Sequence, residues 1–162
     1  PTGSGFALAR QLGALEAAGR TRGPVGFAGL APSGRADGSV RHAGMVIDRT
    51  NLFHHPGTEA ALSIGEFAVA LHRDAAVSID RMLGWHLWAT DLCLQARAAG
   101  RSQDQACIFE TPLFHNSSTA WSLPEAFHAS AQVLLDKYPA LERIPTLCGE
   151  LQRSRRPQQA LA

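Results

Sequence analysis

The chain has 162 residues, which is enough for one modest domain with a hydrophobic core. Hydrophobic residues make up 45% and charged residues 18%, and this balance is ordinary for a soluble globular protein. The net charge of +1 gives no electrostatic reason to expect nucleic acid or a membrane surface as a partner. No apolar run is long enough for a transmembrane segment and no signal-peptide pattern is present, so we expect a cytoplasmic protein.

The cysteines and the first residue add two expectations. Cys93, Cys107 and Cys148 are far apart and form no Cys-x-x-Cys pair. This spacing disfavours a disulfide framework or a zinc knuckle, and favours reduced thiols in the cytosol. The first residue is Pro1 rather than Met, which suggests a processed product or a fragment.

The first half of the chain predicts one helix followed by short strands. Leucines recur at helical spacing after Thr2 or Ser4, either of which can cap a helix, and Gly19 is placed to end it. Short apolar runs predict strands at residues 25–30, 44–48 and 66–71. The pair His54 and His55, followed by Pro-Gly, predicts a solvent-facing loop.

The second half predicts two helices around one further strand at residues 106–110. The first helix begins at Asp91 and ends near Gly100. The second is predicted by a capping box with Ser122 at the cap and Glu125 three residues later. Its apolar stripe consists of Phe127, Ala131, Leu134, Leu135 and Tyr138.

The alternation of strands and helices predicts an α/β fold. Residues 1–149 are expected to form one unit. Residues 150–162 are polar and basic, and we expect them to form a disordered tail.

Asp91 is the first candidate for a chemical role. A helix N-terminus carries a partial positive charge that favours an ionised carboxylate. Such a carboxylate can act as a general base that takes a proton from an attacking hydroxyl. The alternative is that Asp91 only complements the helix dipole, which is common.

The aromatic residues before Asp91 suggest a platform for a sugar. Trp85 and Trp88 can stack on sugar rings, although tryptophans are more often core or interface residues. His86 is either a substrate hydrogen-bond partner or a satisfied, half-buried side chain. Neighbouring side chains at a helix start do not all face one cleft, so we expect one tryptophan ring in the core and the other at the site.

His115 is a candidate metal ligand because it follows a predicted strand, and ligands gather at strand ends in α/β sheets. A lone histidine is more often not a ligand, and one histidine cannot make a metal site. We expect His115 to lie on the same side of the sheet as Asp91, with both flanking one cleft.

Together these segments resemble a known family. The run 85–96, Trp-His-Leu-Trp-Ala-Thr-Asp-Leu-Cys-Leu-Gln-Ala, resembles the acceptor-side motif of bacterial family 2-like glycosyltransferases with the A-type nucleotide-sugar fold. Residues 114–117, Phe-His-Asn-Ser, are similar to a second motif of that family. Residues 25–29, 127–130, 137–139 and 145–149 are similar to further segments, so the resemblance covers about residues 1–149.

The resemblance implies a partial A-type glycosyltransferase fold that is Rossmann-like, with a central sheet flanked by helices. It corresponds to the C-terminal, acceptor-side half, and the nucleotide-binding half of the family precedes this region. Asp91 would be the base of an inverting displacement. Trp85, His86 and Trp88 would line the acceptor site, and His115 would bind a divalent metal, Mn or Mg.

Two hypotheses of function follow. In the first, the chain transfers a sugar from a nucleotide-sugar donor to a carbohydrate or other hydroxyl acceptor. In the second, it is a non-catalytic carbohydrate-binding or partner-docking module that lacks the donor-binding half. An exposed sheet edge left by a missing half would also favour a homo-oligomer or a bound partner.

Overall fold

A computed structural model of the chain describes residues 4–19, 22–48, 52–55, 59–101, 104–109, 111, 113–115 and 122–153. Within these ranges there are three α-helices: α1 (Ser4–Ala17), α2 (Trp88–Ala98) and α3 (Glu125–Lys137). The helix predicted from Asp91 to near Gly100 is confirmed as α2, but it begins three residues earlier, at Trp88. None of the described helices has both the length and the apolar character that a bilayer crossing requires.

Eleven short strands connect and flank the helices in the described residues. They are β1 (Val25–Gly26), β2 (Ala28–Pro32), β3 (Val40–Asp48), β4 (Leu52–His55), β5 (Glu59–Ala60), β6 (Ser63–Ile64), β7 (Val69–Ala70), β8 (Cys107–Ile108), β9 (Leu113–His115), β10 (Arg143–Thr146) and β11 (Gly149–Gln152). One sheet has the order β5-β8-β1-β7, and a second has the order β4-β3-β2-β6 with β9 paired to β3. The pairs β1–β8 and β3–β9 are parallel, and β10 and β11 form a separate antiparallel pair.

The mixed α/β class is therefore confirmed, but the described strands form three small sheets rather than one central sheet. The strand predicted at residues 25–30 is divided at Phe27, because β1 pairs in one sheet and β2 in the other. Gly26 and Gly29 permit a close approach of β6 to this segment. A Cβ atom on Gly26 would lie 2.7 Å from Cβ of Ile64, and one on Gly29 would meet the backbone of Ser63.

One other strand prediction was wrong at its boundaries, and one loop prediction was wrong. Residues 66–71 contain a turn at Glu66 and Phe67, and only Val69–Ala70 forms a strand. His54 and His55 belong to β4, whose backbone pairs with β3, and not to a loop. In both places strand pairing decided the local structure, of Val69–Ala70 with the distant β1 and of His54 and His55 with the neighbouring β3.

The end of the chain also differs from expectation. The N-cap of α3 is Pro124 and has no side-chain capping bond, so the capping box of Ser122 and Glu125 does not form. The predicted tail begins inside β11, which pairs with β10 and orders residues 150–152. The rest of that tail, from residue 154 onward, lies outside the described residues.

Helix α2 lies at the centre of the core. Leu94 packs with the α3 residues Phe127 and Leu134 in one hydrophobic cluster, while Ala89 and Cys93 pack with strand residues in another. The buried hydroxyls of Ser63 in β6 and Thr90 in α2 are hydrogen-bonded at 2.9 Å. The helix that carries Asp91 is thus held from both sides, by α3 and by the sheet.

Candidate functional site

The site is built around the chain segment that enters α2. A short 3-10 turn, Arg81–Leu83, precedes it, and Asp80 caps this turn by accepting a hydrogen bond from the Met82 amide at 2.9 Å. Gly84 then takes a positive φ of 59°. The turn directs the next residues away from the core before the chain returns at Leu87.

Leu87 is the N-cap residue of α2 and lies in the left-handed region, with φ 65°. It is the one non-glycine residue with positive φ among those the structure describes. Its side chain is 2% exposed and packs in the cluster with α3. Its amide donates a hydrogen bond to Glu66, and its carbonyl accepts one from the Asp91 amide at 2.9 Å. Three anchors therefore fix a backbone conformation that leucine seldom adopts.

Asp91 lies in the first turn of α2, as predicted, but its side chain is fully buried, with 0% exposed. Its Oδ1 accepts a hydrogen bond from the Tyr138 hydroxyl at 2.6 Å. Its Oδ2 accepts from Lys137 Nζ at 2.8 Å and from Gln95 Nε2 at 2.7 Å. The expectation that this carboxylate faces an open cleft is therefore wrong for this conformation.

The Asp91 network connects three parts of the chain. Lys137 Nζ also donates to Asp80 Oδ2 at 2.8 Å, and Gln95 Nε2 also donates to the Ser78 carbonyl at 2.9 Å. The segment before the 3-10 turn, the start of α2 and the end of α3 are thereby linked through charged and polar groups. About a third of the Lys137 side chain, 32%, is exposed to solvent.

The network shifts the ionisation of its members. Burial lowers the pKa of Lys137, but its hydrogen bonds to Asp80 and Asp91 outweigh this, and the net change is upward. The hydrogen bond from Lys137 lowers the pKa of Asp80. Burial and the bond to Asp91 together raise the pKa of Tyr138 well above its ordinary value. Each shift favours the protonation state in which Lys137 and Tyr138 donate to the carboxylates.

A cavity of about 260 Å³ lies between the segment 82–86 and α3, where it is lined by Ala126, Ala129, Ser130 and Val133. Trp85 and His86 line it from the other side, whereas Asp91 does not. The ring of His86 meets that of Phe127 edge-on, with centroids 5.9 Å apart. The lining is therefore mostly apolar, and we call its two aromatic residues, Trp85 and His86, the rim.

The two tryptophans of the motif differ as predicted. Trp85 is 88% exposed at the rim, while Trp88 is partly buried and packs against the clusters on both sides of α2. Trp88 therefore has the core role that the sequence left open. Trp85 has the exposure that a binding platform needs.

His115 lies at the end of β9, where its ring is 5.0 Å from that of Phe67, centroid to centroid. Phe67 follows Glu66, the residue that accepts the Leu87 amide. One turn thus contacts both His115 and the start of α2.

The donor set for a divalent metal is incomplete in the part of the chain that the structure describes. It contains no group of three or more His, Cys, Asp or Glu side chains that could hold a metal ion. His115 supplies one imidazole, and a metal site needs several ligands. The described residues alone do not fit a metal centre.

Sequence reasoning identified Asp91, Trp85 and His86 but missed the groups that contact them. Lys137 and Tyr138 are 46 and 47 residues away from Asp91, and their spacing gives no sign of the contact. Glu66 carried one signal, since it is a single carboxylate within an otherwise apolar run. A charged residue in such a run needs a partner if it is buried.

Comparison of this chain with protein-family models and with curated proteins gives no match. The resemblance to glycosyltransferases therefore rests on the motifs of the chain itself.

Proposed function

We propose that the chain forms the acceptor-side half of a glycosyltransferase with a partial A-type, Rossmann-like fold. In this proposal it promotes transfer of a sugar from a nucleotide-sugar donor to an acceptor hydroxyl with inversion at the anomeric carbon. The observation that carries the proposal is the exposed Trp85, which stands with His86 at the rim of a cavity just before the helix of Asp91.

The rim supplies what acceptor binding needs. An exposed indole offers a flat apolar face for a sugar ring, and an imidazole can donate or accept a hydrogen bond from a hydroxyl. The rest of the cavity lining is mostly apolar, and the cavity gives room for a ring or a short substituent. A carbohydrate or another hydroxyl compound with an apolar face is therefore the proposed acceptor.

Asp91 is the proposed base that removes the acceptor proton as the new glycosidic bond forms. It can do so only when an acceptor hydroxyl reaches the carboxylate, which Lys137 and Tyr138 cover. Lys137 is the easier of the two to displace. It is partly exposed and can move to solvent while retaining a water shell.

The resemblance also assigns a divalent metal, Mn or Mg, to His115, with chemistry that offsets charge on a leaving diphosphate. A metal centre at His115 would need ligands beyond those that the structure describes.

A second candidate function is favoured by the burial of Asp91. A carboxylate with three hydrogen-bond donors and no exposed surface performs a structural role well. The rim could then serve a carbohydrate-binding or partner-docking module without transfer.

A turnover assay separates the two functions. The chain, joined to the preceding nucleotide-binding half that the proposed family implies, is incubated with Mn, a panel of nucleotide sugars and a panel of methyl and aryl glycosides, and products are measured by mass spectrometry. The matched variants are Asp91→Asn and Asp80→Asn, because each removes one carboxylate from Lys137. Transfer that is lost in D91N and kept in D80N supports the enzyme.

The assay has two other outcomes. Equal transfer by D91N, checked by circular dichroism to be folded, contradicts the base role. Absence of transfer together with glycoside binding that Trp85→Ala removes supports the binding module instead. Phe6→Ala is the control for that variant, since Phe6 is also a highly exposed aromatic residue, on α1.

A further inference from the structure

Glu66 makes an unusual contact for a half-buried carboxyl group. It lies in the turn between β6 and β7 and accepts the amide hydrogen of Leu87, 21 residues further along the chain. Leu87 is the left-handed residue at the start of α2 and has no side-chain cap. The Glu66 carboxyl therefore supplies the hydrogen bond that this turn does not provide for itself.

Leu87 is the point where the rim and the helix meet. Trp85 and His86 precede it and line the cavity, whereas its own carbonyl begins the hydrogen bonding of α2 at Asp91. A change of φ or ψ at Leu87 would therefore rotate the rim relative to α2. The buried side chain of Leu87 fixes its position in the core, and the hydrogen bond from its amide to Glu66 fixes its backbone.

We propose that Glu66 is a positioning residue of the acceptor site, which holds the left-handed turn at Leu87 and thereby sets the direction of the Trp85–His86 rim. The term acceptor site rests on the proposed function, but the positioning itself does not. Phe67, the next residue, contacts the ring of His115. The turn of Glu66 and Phe67 therefore contacts both Leu87, next to the rim, and His115, at the end of β9.

The protonation of Glu66 provides a signal that can be followed. Burial raises the pKa of Glu66 to about 7, against the opposing effect of the Leu87 hydrogen bond. Burial raises the pKa of the Cys148 thiol above its ordinary value, and the nearby Glu66 charge adds to this rise. His86 is adjacent to Leu87 and also carries a titratable ring, so a variant without the Glu66 charge is needed as a reference.

The test uses the full chain labelled with 15N and with 5-fluorotryptophan, and the Trp85 fluorine line is assigned with Trp85→Phe. Glu66→Gln keeps an acceptor oxygen for the Leu87 amide, whereas Glu66→Met removes it. Glu142→Met is the matched control, since Glu142 is exposed. We expect E66M to shift the Trp85 line and to speed exchange of the Leu87 amide roughly tenfold. E66Q and E142M should leave both unchanged.

A folded E66M protein with an unchanged Trp85 line and a protected Leu87 amide would overturn the proposal. If E66M does not fold, the same two signals are followed in the wild-type chain as the pH is changed. The Leu87 amide and the Trp85 fluorine line should then titrate together near pH 7, and this step should be missing in E66Q. Absence of a shared step in the wild type would overturn the proposal as well. None of these signals requires a sugar. Failure of the glycosyltransferase proposal would appear in the turnover assay and leave these signals unchanged.

Discussion

The hydroxyl of Tyr138 donates a 2.6 Å hydrogen bond to Oδ1 of Asp91 across the interface between α3 and α2. This bond places the end of one helix directly on the carboxylate at the start of another. Lys137 covers the second carboxylate oxygen. Access to Asp91 therefore depends on the end of α3.

Tyr138 is the single tyrosine of the chain, so its ionisation can be followed without assignment. Burial and the bond to Asp91 raise the pKa of Tyr138, and titration of the absorbance near 295 nm should therefore show a midpoint above the ordinary value of 10.0. In D91N the midpoint should move down, because the negative partner is removed while burial remains. An equal midpoint in both proteins would show that the bond does not form in solution.

Replacement of Asp91 by Asn should lower stability. Asn cannot accept from Tyr138, Lys137 and Gln95 at once, and Lys137 loses the fully buried one of its two carboxylate partners. We expect a loss of about 2 kcal/mol or more in the free energy of unfolding, measured by urea titration. D80N should lower the free energy of unfolding clearly less, because Asp80 lies nearer the surface. Equal losses would contradict a central role for Asp91 in the network.

The pH dependence of stability should reveal Glu66. Its pKa is about 7 in the folded chain, against an ordinary value of 4.5, so the folded state binds more protons between these values. The free energy of unfolding should therefore fall as the pH rises from about 4.5 to about 7, by at most roughly 3 kcal/mol.

The E66Q variant isolates this effect from the other carboxylates. Its stability relative to the wild type should increase as the pH is raised from 5 to 8, as measured by urea titration at several pH values. A constant difference between the two proteins over this range would mean that the pKa of Glu66 is not raised.

The two motif tryptophans should give opposite results on replacement. Trp85→Ala should change the free energy of unfolding by no more than about 0.5 kcal/mol, because the ring is exposed. Trp88→Ala should cost about 2 kcal/mol or more, because that ring packs against the clusters on both sides of α2. Thermal unfolding of both variants checks this order, and a larger loss for Trp85→Ala would contradict the described packing.

The helices were predictable from the sequence because their signals are local. The apolar spacing of α3 survives in the fold, since Phe127, Ala131, Leu134 and Leu135 are all buried. Asp91 was placed in the first turn of its helix for the same reason. Both helices form the packed interior of the molecule, where periodicity and burial agree.

Strands at residues 44–48 and 106–110 were predictable in place, as part of β3 and as β8, but the division of the run 25–30 and the surroundings of Asp91 were not, because residues distant in the sequence decide them. The run 25–30 divides between two sheets only because β7 and β8 pair with one part and β3 and β6 with the other. Burial of the Asp91 carboxylate likewise depends on Lys137 and Tyr138, which reach it from the end of α3. A single sequence carries no sign of such contacts.

A single displacement with Asp91 as base inverts the anomeric carbon, so the configuration of the product reports on the mechanism. A nucleotide sugar of known configuration is incubated with Mn, the acceptor glycosides and the chain joined to the preceding nucleotide-binding half that the proposed family implies, and the new glycoside is examined by proton NMR. We expect an inverted product from the wild-type and D80N proteins, and no product from folded D91N. A product with retained configuration, or equal product from D91N, would contradict this mechanism.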